Sequence, residues 1–107
     1  MTAWLYLATA ISSEVGATVV LRYSDGYTVP LPTAVSIAGY AFSIWLLALT
    51  VKELDVSLVY AVWAGIGTAA IALIGMTTLG EPVTALKIVS IGVIIAGVVG
   101  LNLAGTA

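Results

Sequence analysis

A carboxylate in the middle of an apolar run needs a chemical reason. Glu14 stands near the midpoint of a stretch from about Trp4 to Leu21, where insertion scales put the cost of a charged side chain at about 2.5–3.5 kcal/mol. A carboxyl at that depth is suited to take either a proton or a cation. Mutual exclusion of those two ligands at one site is the physical core of an antiporter. The plainer alternative is a structural hydrogen bond from a protonated carboxyl to a neighbouring helix. At helical spacing Leu7, Ala10, Ala17, Thr18 and Leu21 share the Glu14 face. The small side chains among them leave room for a cavity, with Ala10 and Thr18 as candidate lining.

Two further stripes carry aromatic surface. Ser36, Tyr40 and Ser43 recur at helical spacing in one run, and Tyr60, Trp63 and Gly67 in another. An organic cation stripped of water is well held by a carboxylate combined with aromatic faces, each worth about 0.5–2 kcal/mol. Tyr40, Tyr60 and Trp63 therefore join Glu14 as candidate binding residues for proton and substrate, with Ser43 as further candidate lining. Taken singly, each aromatic also reads as packing or as an interface anchor. Trp45 stays in that plainer class, and Asp25, Glu53, Asp55 and Glu81 fall in loops as solvated acids without assigned chemistry. With no Cys and no His, thiolate chemistry, disulfides, a zinc site and an imidazole base are excluded, and neither a metal site nor enzymatic catalysis is read from the chain.

The elements that must position these groups follow from composition. The chain has 107 residues, of which 62% are hydrophobic and 7% charged, against about 25% charged in an ordinary soluble domain. A spanning helix needs about 20 apolar residues, so the length suits four spans with short connections. The apolar runs place helices at about residues 4–21, 33–51, 58–79 and 83–104 of one membrane domain covering residues 1–107. The runs are apolar all round and lack the alternation of a barrel wall, which makes the fold class all-α. Pro30 and Pro32 suit the start of the second helix. Gly80-Glu81-Pro82 reads as a helix-ending glycine followed by a helix-starting proline. No Lys or Arg precedes the first run and Glu14 interrupts it, so it reads as a retained helix rather than a signal peptide. Trp4, Tyr6, Tyr23 and Tyr27 lie near the ends of that helix, where amphipathic rings favour the headgroup layer.

Net charge is −2 from three basic and five acidic residues, which offers no basic patch for nucleic acid or anionic lipid. Arg22 and Lys87 fall on one side of the membrane and Lys52 on the other. A difference of one basic residue leaves orientation nearly balanced; dual insertion is the functional reading, and a small protein with few loop charges the plain one. Gly65 and Gly67 weaken the third helix locally and are candidate hinge positions. Ser90, Gly97, Gly100 and Ala104 give the fourth helix a small-residue face suited to close packing. One copy has too few helices to enclose a polar path and supplies one deep carboxylate, so a transport site requires a homodimer. Two copies inserted in opposite orientations would provide between chains the inverted symmetry that larger transporters carry within one.

Together these residues resemble the small multidrug resistance family of proton-coupled cation exporters. The resemblance covers essentially the whole chain: Glu14, the Arg22-Tyr23-Ser24-Asp25-Gly26-Tyr27-Thr28 loop, Pro32, Tyr40, Ser43-Ile44-Trp45, Tyr60-Ala61-Val62-Trp63-Ala64-Gly65-Ile66-Gly67, Gly97-Val98 and Asn102. It implies an antiparallel dual-topology homodimer, or a pair with a related subunit, in the bacterial inner membrane. By the same resemblance, protons driven by their gradient exchange for toxic cations at a shared pair of Glu14 residues, without a cofactor. Tyr40, Tyr60 and Trp63 then line the chamber, and the fourth helix, with Ser90, Gly97 and Gly100, forms much of the dimer contact. Departures from the family pattern are Arg22 where Lys is usual, and Ser90 with Gly92 where glycine is frequent at the earlier position.

Two subtypes are distinguished within that family. Ala17, where guanidinium exporters often carry Trp, and Tyr40, where they carry a nonaromatic residue, favour export of quaternary ammonium and aromatic cations. Gly16 resembles the guanidinium pattern, which keeps that subtype as the alternative. A proton-carrying proteolipid or channel subunit is the reading from another class, but such subunits place their acid on the last helix of a hairpin, and here it lies on the first.

Overall fold

The computed structural model describes residues 2–106. Among them are four helices and no strand: α1 (Thr2–Arg22), α2 (Pro30–Thr50), α3 (Val56–Thr77) and α4 (Ala85–Thr106). All four are long and apolar enough to cross a membrane, since about 20 residues at 1.5 Å rise match a hydrocarbon core of about 30 Å.

The helices form two compact units, residues 1–55 and 56–107, each a helical hairpin. In the first, small side chains and serines let α1 and α2 approach closely. Ser43 Oγ donates to the Ala10 carbonyl at 2.8 Å, Ser13 Oγ to the Gly39 carbonyl at 2.8 Å and Ser36 Oγ to the Ala17 carbonyl at 3.0 Å. These three pairs fix the antiparallel register, with Ala10, Ser13 and Ala17 facing Ser43, Gly39 and Ser36 in turn. In hydrocarbon no water competes for the carbonyls, and each interhelical bond contributes about 0.6 kcal/mol. Gly39 is the tightest point: a Cβ there would lie 2.9 Å from Ala17 Cβ.

All four helix starts differ from the sequence reading, α1 and α3 by beginning two residues earlier, at Thr2 and Val56. Helix α2 begins at Pro30 rather than at 33, because both prolines fit the first turn, where amides have no partner inside the helix. Helix α4 begins at Ala85 rather than at 83, because Thr84 is its cap: Thr84 Oγ1 accepts from the Lys87 amide at 3.1 Å. Pro82 precedes that cap, and its carbonyl takes the Lys87 ammonium at 2.8 Å. The ends of α3 shift to 56–77. Gly80, at φ 73°, turns the chain back so that the Glu81 amide reaches the Gly75 carbonyl at 2.9 Å.

The α1–α2 connection is organised by Ser24, which is fully buried. Its hydroxyl donates to the Leu21 carbonyl at 2.7 Å and accepts from the Tyr27 amide at 3.1 Å. Its carbonyl takes the amides of both Thr28 and Val29 at 2.9 Å. These bonds hold Asp25, Gly26 and Tyr27 in the left-handed region, at φ 49°, 68° and 67°, a conformation costly for a bulky residue such as Tyr27.

In the second unit α3 and α4 meet at Gly65, where an added Cβ would collide with Val98 and crowd Ile94. No residue of the Ala85–Ala104 stretch of α4 is buried.

Candidate functional site

Glu14 is half-buried on α1, on the stripe that also carries the buried residues Leu7, Ala10 and Ala17. One turn along the helix, Thr18 reaches back to it. Thr18 Oγ1 lies 2.9 Å from the Glu14 carbonyl and 3.1 Å from Glu14 Oε1, and it stands 2.7 Å from the Tyr40 hydroxyl of α2. A carboxyl, a hydroxyl and a phenol thus form one chain across the hairpin. Thr18 has a single proton to give. With Glu14 ionised, Tyr40 donates to Thr18 and Thr18 donates on to the carboxylate; with Glu14 protonated, the carboxyl can donate to Thr18 in the opposite sense. The hairpin register brings Thr18 opposite Tyr40, because the bond from Ser36 to Ala17 and the close contact of Gly39 with Ala17 lie immediately beside it.

No ion pair neutralises Glu14, and its Oε2 accepts no hydrogen bond, among the described residues. A carboxylate held on one oxygen and open on the other is a ready acceptor for a proton or for an organic cation.

Ala10 and Ser43 occupy a different place from that expected of cavity lining. Ala10 is fully enclosed, and Ser43, also buried, has its proton on the Ala10 carbonyl. Both belong to the α1–α2 seam. Ser36 is likewise buried with its proton on Ala17, so the polar stripe of α2 divides: its serines clamp the hairpin and Tyr40 faces Thr18. Thr18, read from the sequence as secondary lining, is the central link of the chain. Its spacing of one helical turn from Glu14 was the available signal.

On α3, Tyr60 and Trp63 pack edge to face with ring centres 5.7 Å apart and planes at 88°. Tyr60 is exposed and Trp63 half-buried, so this one-turn pair presents aromatic surface outward. Gly65 and Gly67 are both buried on the same helix, and Gly65 is the point of close approach to α4. Ser90, Gly97 and Gly100 on α4 are exposed. A Cβ at Gly97 or Gly100 would meet nothing within 4 Å.

Trp45 is exposed and packs on Phe42 at 5.9 Å, as suits a lipid-facing aromatic. Asp25, Glu53, Asp55 and Glu81 lie outside the helices and are exposed, as their loop positions suggest. Among the described residues, no group of three or more acids is placed to hold a metal ion.

Comparison with known sequences places the chain among relatives. The family profile described as Small Multidrug Resistance protein matches residues 2–94. The nicotine metabolites export pump subunit NepB of Paenarthrobacter nicotinovorans is 45% identical over 104 residues, 97% of this chain and 63% of that longer protein. The chain thus spans a little under two thirds of that relative. The multidrug resistance protein Mmr of Mycobacterium tuberculosis is 44% identical over 103 residues, covering 95% of this chain and 96% of its own length. The quaternary ammonium compound-resistance protein QacE of Escherichia coli is 42% identical over 103 residues, 96% of this chain and 94% of its own.

Proposed function

The chain belongs to the small multidrug resistance family, and from that premise we propose that it exports organic cations in exchange for protons, with Glu14 binding the two in turn. It is a transporter rather than an enzyme, a multi-pass integral protein of the bacterial inner membrane. The observation that carries the exchange reading is the half-buried Glu14 carboxyl, bonded on one side through Thr18 to Tyr40 and open on the other.

An arriving cation stabilises the ionised carboxylate, and the proton leaves. Protonation from the other side of the membrane removes the negative charge that held the cation, and the cation leaves. The hydroxyls of Thr18 and Tyr40 stay bonded to each other in both states by reversing their donors.

The substrate class favoured is quaternary ammonium and aromatic cations. A quaternary nitrogen has no hydrogen to donate, so it is recognised by charge and by aromatic faces; the first hairpin supplies the Glu14 carboxylate with the Tyr40 ring, and the second supplies the Tyr60–Trp63 aromatic pair. A relative of similar length bears a quaternary ammonium resistance name, in keeping with that class. Guanidinium prefers several acceptors in one plane. Here Ser36 and Ser43 are buried in the hairpin seam, away from such a role.

Two copies complete the site. The open small-residue face of α4, at Ser90, Gly97 and Gly100, supports an α4 contact between copies. Opposed insertion of the copies fits the one-charge balance of Arg22 and Lys87 against Lys52. The word subunit in the name of the nicotine-metabolite pump relative leaves pairing with a related chain as the second arrangement.

The test is Glu14→Gln in proteoliposomes. The variant should neither release protons on cation addition nor accumulate cation against a proton gradient, while keeping the helicity and dimer mass of the unaltered protein. Gradient-driven accumulation by a folded Glu14→Gln protein would show the shared-site mechanism to be wrong.

A further inference from the structure

At the end of the α1–α2 hairpin where α1 begins and α2 finishes, an open pocket of about 300 Å³ is lined by Thr2, Tyr6, Leu49, Lys52 and Glu53. It lies at the other end of this hairpin from the Ser24 connection, and Glu14 is not among its lining residues. Its two charged side chains are adjacent in sequence and opposite in sign. Neither Lys52 nor Glu53 has a side-chain hydrogen bond or ion pair among the described residues. An ammonium and a carboxylate that share a pocket without pairing leave a site complementary to a ligand carrying both signs of charge.

Depth decides which such ligand is at hand. The pocket sits where two spanning helices reach the membrane surface, the level of the lipid headgroups. We propose that it binds the headgroup of a zwitterionic phospholipid bearing a primary ammonium, that is, phosphatidylethanolamine. Lys52 takes the phosphodiester, with the hydroxyls of Tyr6 and Thr2 available as further donors, and Glu53 takes the ethanolamine ammonium. Leu49 and the Tyr6 ring provide the apolar wall for the glycerol end.

The helix ends act in the same sense. Helix α1 starts at Thr2 and presents its partly positive end to a phosphate, while α2 ends at Thr50 and presents its partly negative end to an ammonium. A phosphatidylglycerol headgroup has the phosphate but no cation for Glu53. Phosphatidylcholine has a cation without N–H donors, so it gives Glu53 charge contact alone.

Native mass spectrometry of the full-length protein in detergent, titrated with phosphatidylethanolamine and phosphatidylglycerol of identical acyl chains, tests the assignment. The unaltered protein should retain the ethanolamine lipid in preference. Lys52→Ala should weaken binding of both lipids, by roughly fivefold for an exposed charge contact. Glu53→Gln should weaken only the ethanolamine lipid and so remove the preference. Both side chains are exposed, and helicity by circular dichroism checks that each variant is folded. Equal retention of the two lipids by the unaltered protein, or a preference that survives Glu53→Gln, overturns the proposal. Soluble phosphoethanolamine binding as tightly as the lipid would overturn the membrane source, whereas much weaker binding of it supports a lipid site.

Discussion

The hydroxyl of Thr18 on α1 stands 2.7 Å from the hydroxyl of Tyr40 on α2, and the same Thr18 oxygen is 3.1 Å from Glu14 Oε1. The distance from Thr18 to Tyr40 ties the intramembrane carboxyl to the second helix, so the orientation of the phenol and the hydrogen bonding of the acid depend on each other.

Thr18→Val and Tyr40→Phe should therefore each weaken cation binding, and their effects should not add. A coupling energy of about 0.5–1.5 kcal/mol is expected for one hydrogen bond in a shared network. Calorimetric cation titration of the two single variants and the double variant measures it. Strict additivity would mean that the contact has no part in holding the site.

The same residues show what the sequence could and could not disclose. Four helices were legible because each apolar run is long enough to span and none alternates. Glu14 was legible because hydrocarbon makes any acid conspicuous. The destinations of Ser36 and Ser43 were not: helical spacing puts a hydroxyl on a face, but the register of the partner helix decides whether that face meets a carbonyl or a cavity. The bonds of these serines to Ala17 and Ala10 exist only once α1 and α2 are paired. Helix starts were blurred for a local reason, since Pro30 and Pro32 both fit a first turn and the Thr84 cap competes with Pro82 as the signal. Ser24 gave no sign in sequence of the bonds through which it folds its loop. The pairing of Tyr60 with Trp63 was readable as a one-turn spacing, but its edge-to-face geometry was not.

Close packing at Gly39 predicts a stability effect separable from transport chemistry. A methyl at this position meets Ala17 Cβ at 2.9 Å, with the Ser13 carbonyl at 3.5 Å. Gly39→Ala must therefore separate the helices and stretch the bonds from Ser13 and Ser36. The expected loss is about 1–3 kcal/mol, the usual cost of overpacking, read as reduced thermal stability in detergent. Gly92→Ala, where the added methyl meets nothing within 4 Å, is the control and should not lower stability, since alanine is the better helix former. Equal destabilisation by both substitutions would remove the α1–α2 seam as the cause.

Insertion should respond to very few charges. Arg22 and Lys87 oppose Lys52 across the membrane, a difference of one basic residue. Asp55→Lys combined with Ser57→Lys places two more basic residues at the Lys52 end of α3 and should bias that end to the cytoplasm. Labelling of a single introduced Cys in the Gly80–Pro82 turn should then change from reaction on both sides of the membrane to reaction on the outside, with loss of cation resistance when the variant is expressed alone. Labelling of the parent protein from one side only would reject dual insertion.

The aromatic pair on α3 carries the prediction on selectivity. Tyr60 and Trp63 meet at 5.7 Å with perpendicular planes, so each ring holds the other in place while Tyr60 remains exposed. Charge alone does not distinguish one cation from another, whereas a large aromatic cation can contact more than one ring and a small guanidinium cannot. Trp63→Ala removes one ring and the edge that orients the other, and should weaken a bulky aromatic cation by about 1–2 kcal/mol through lost cation–π attraction and contact. Guanidinium, held by charge and hydrogen bonds, should lose much less. Protons should still bind, because Thr18 and Tyr40 remain in place around Glu14. Measuring affinities for both cations and proton uptake in the same variant separates these effects, and unchanged affinity for the aromatic cation would return Trp63 to a packing role on α3.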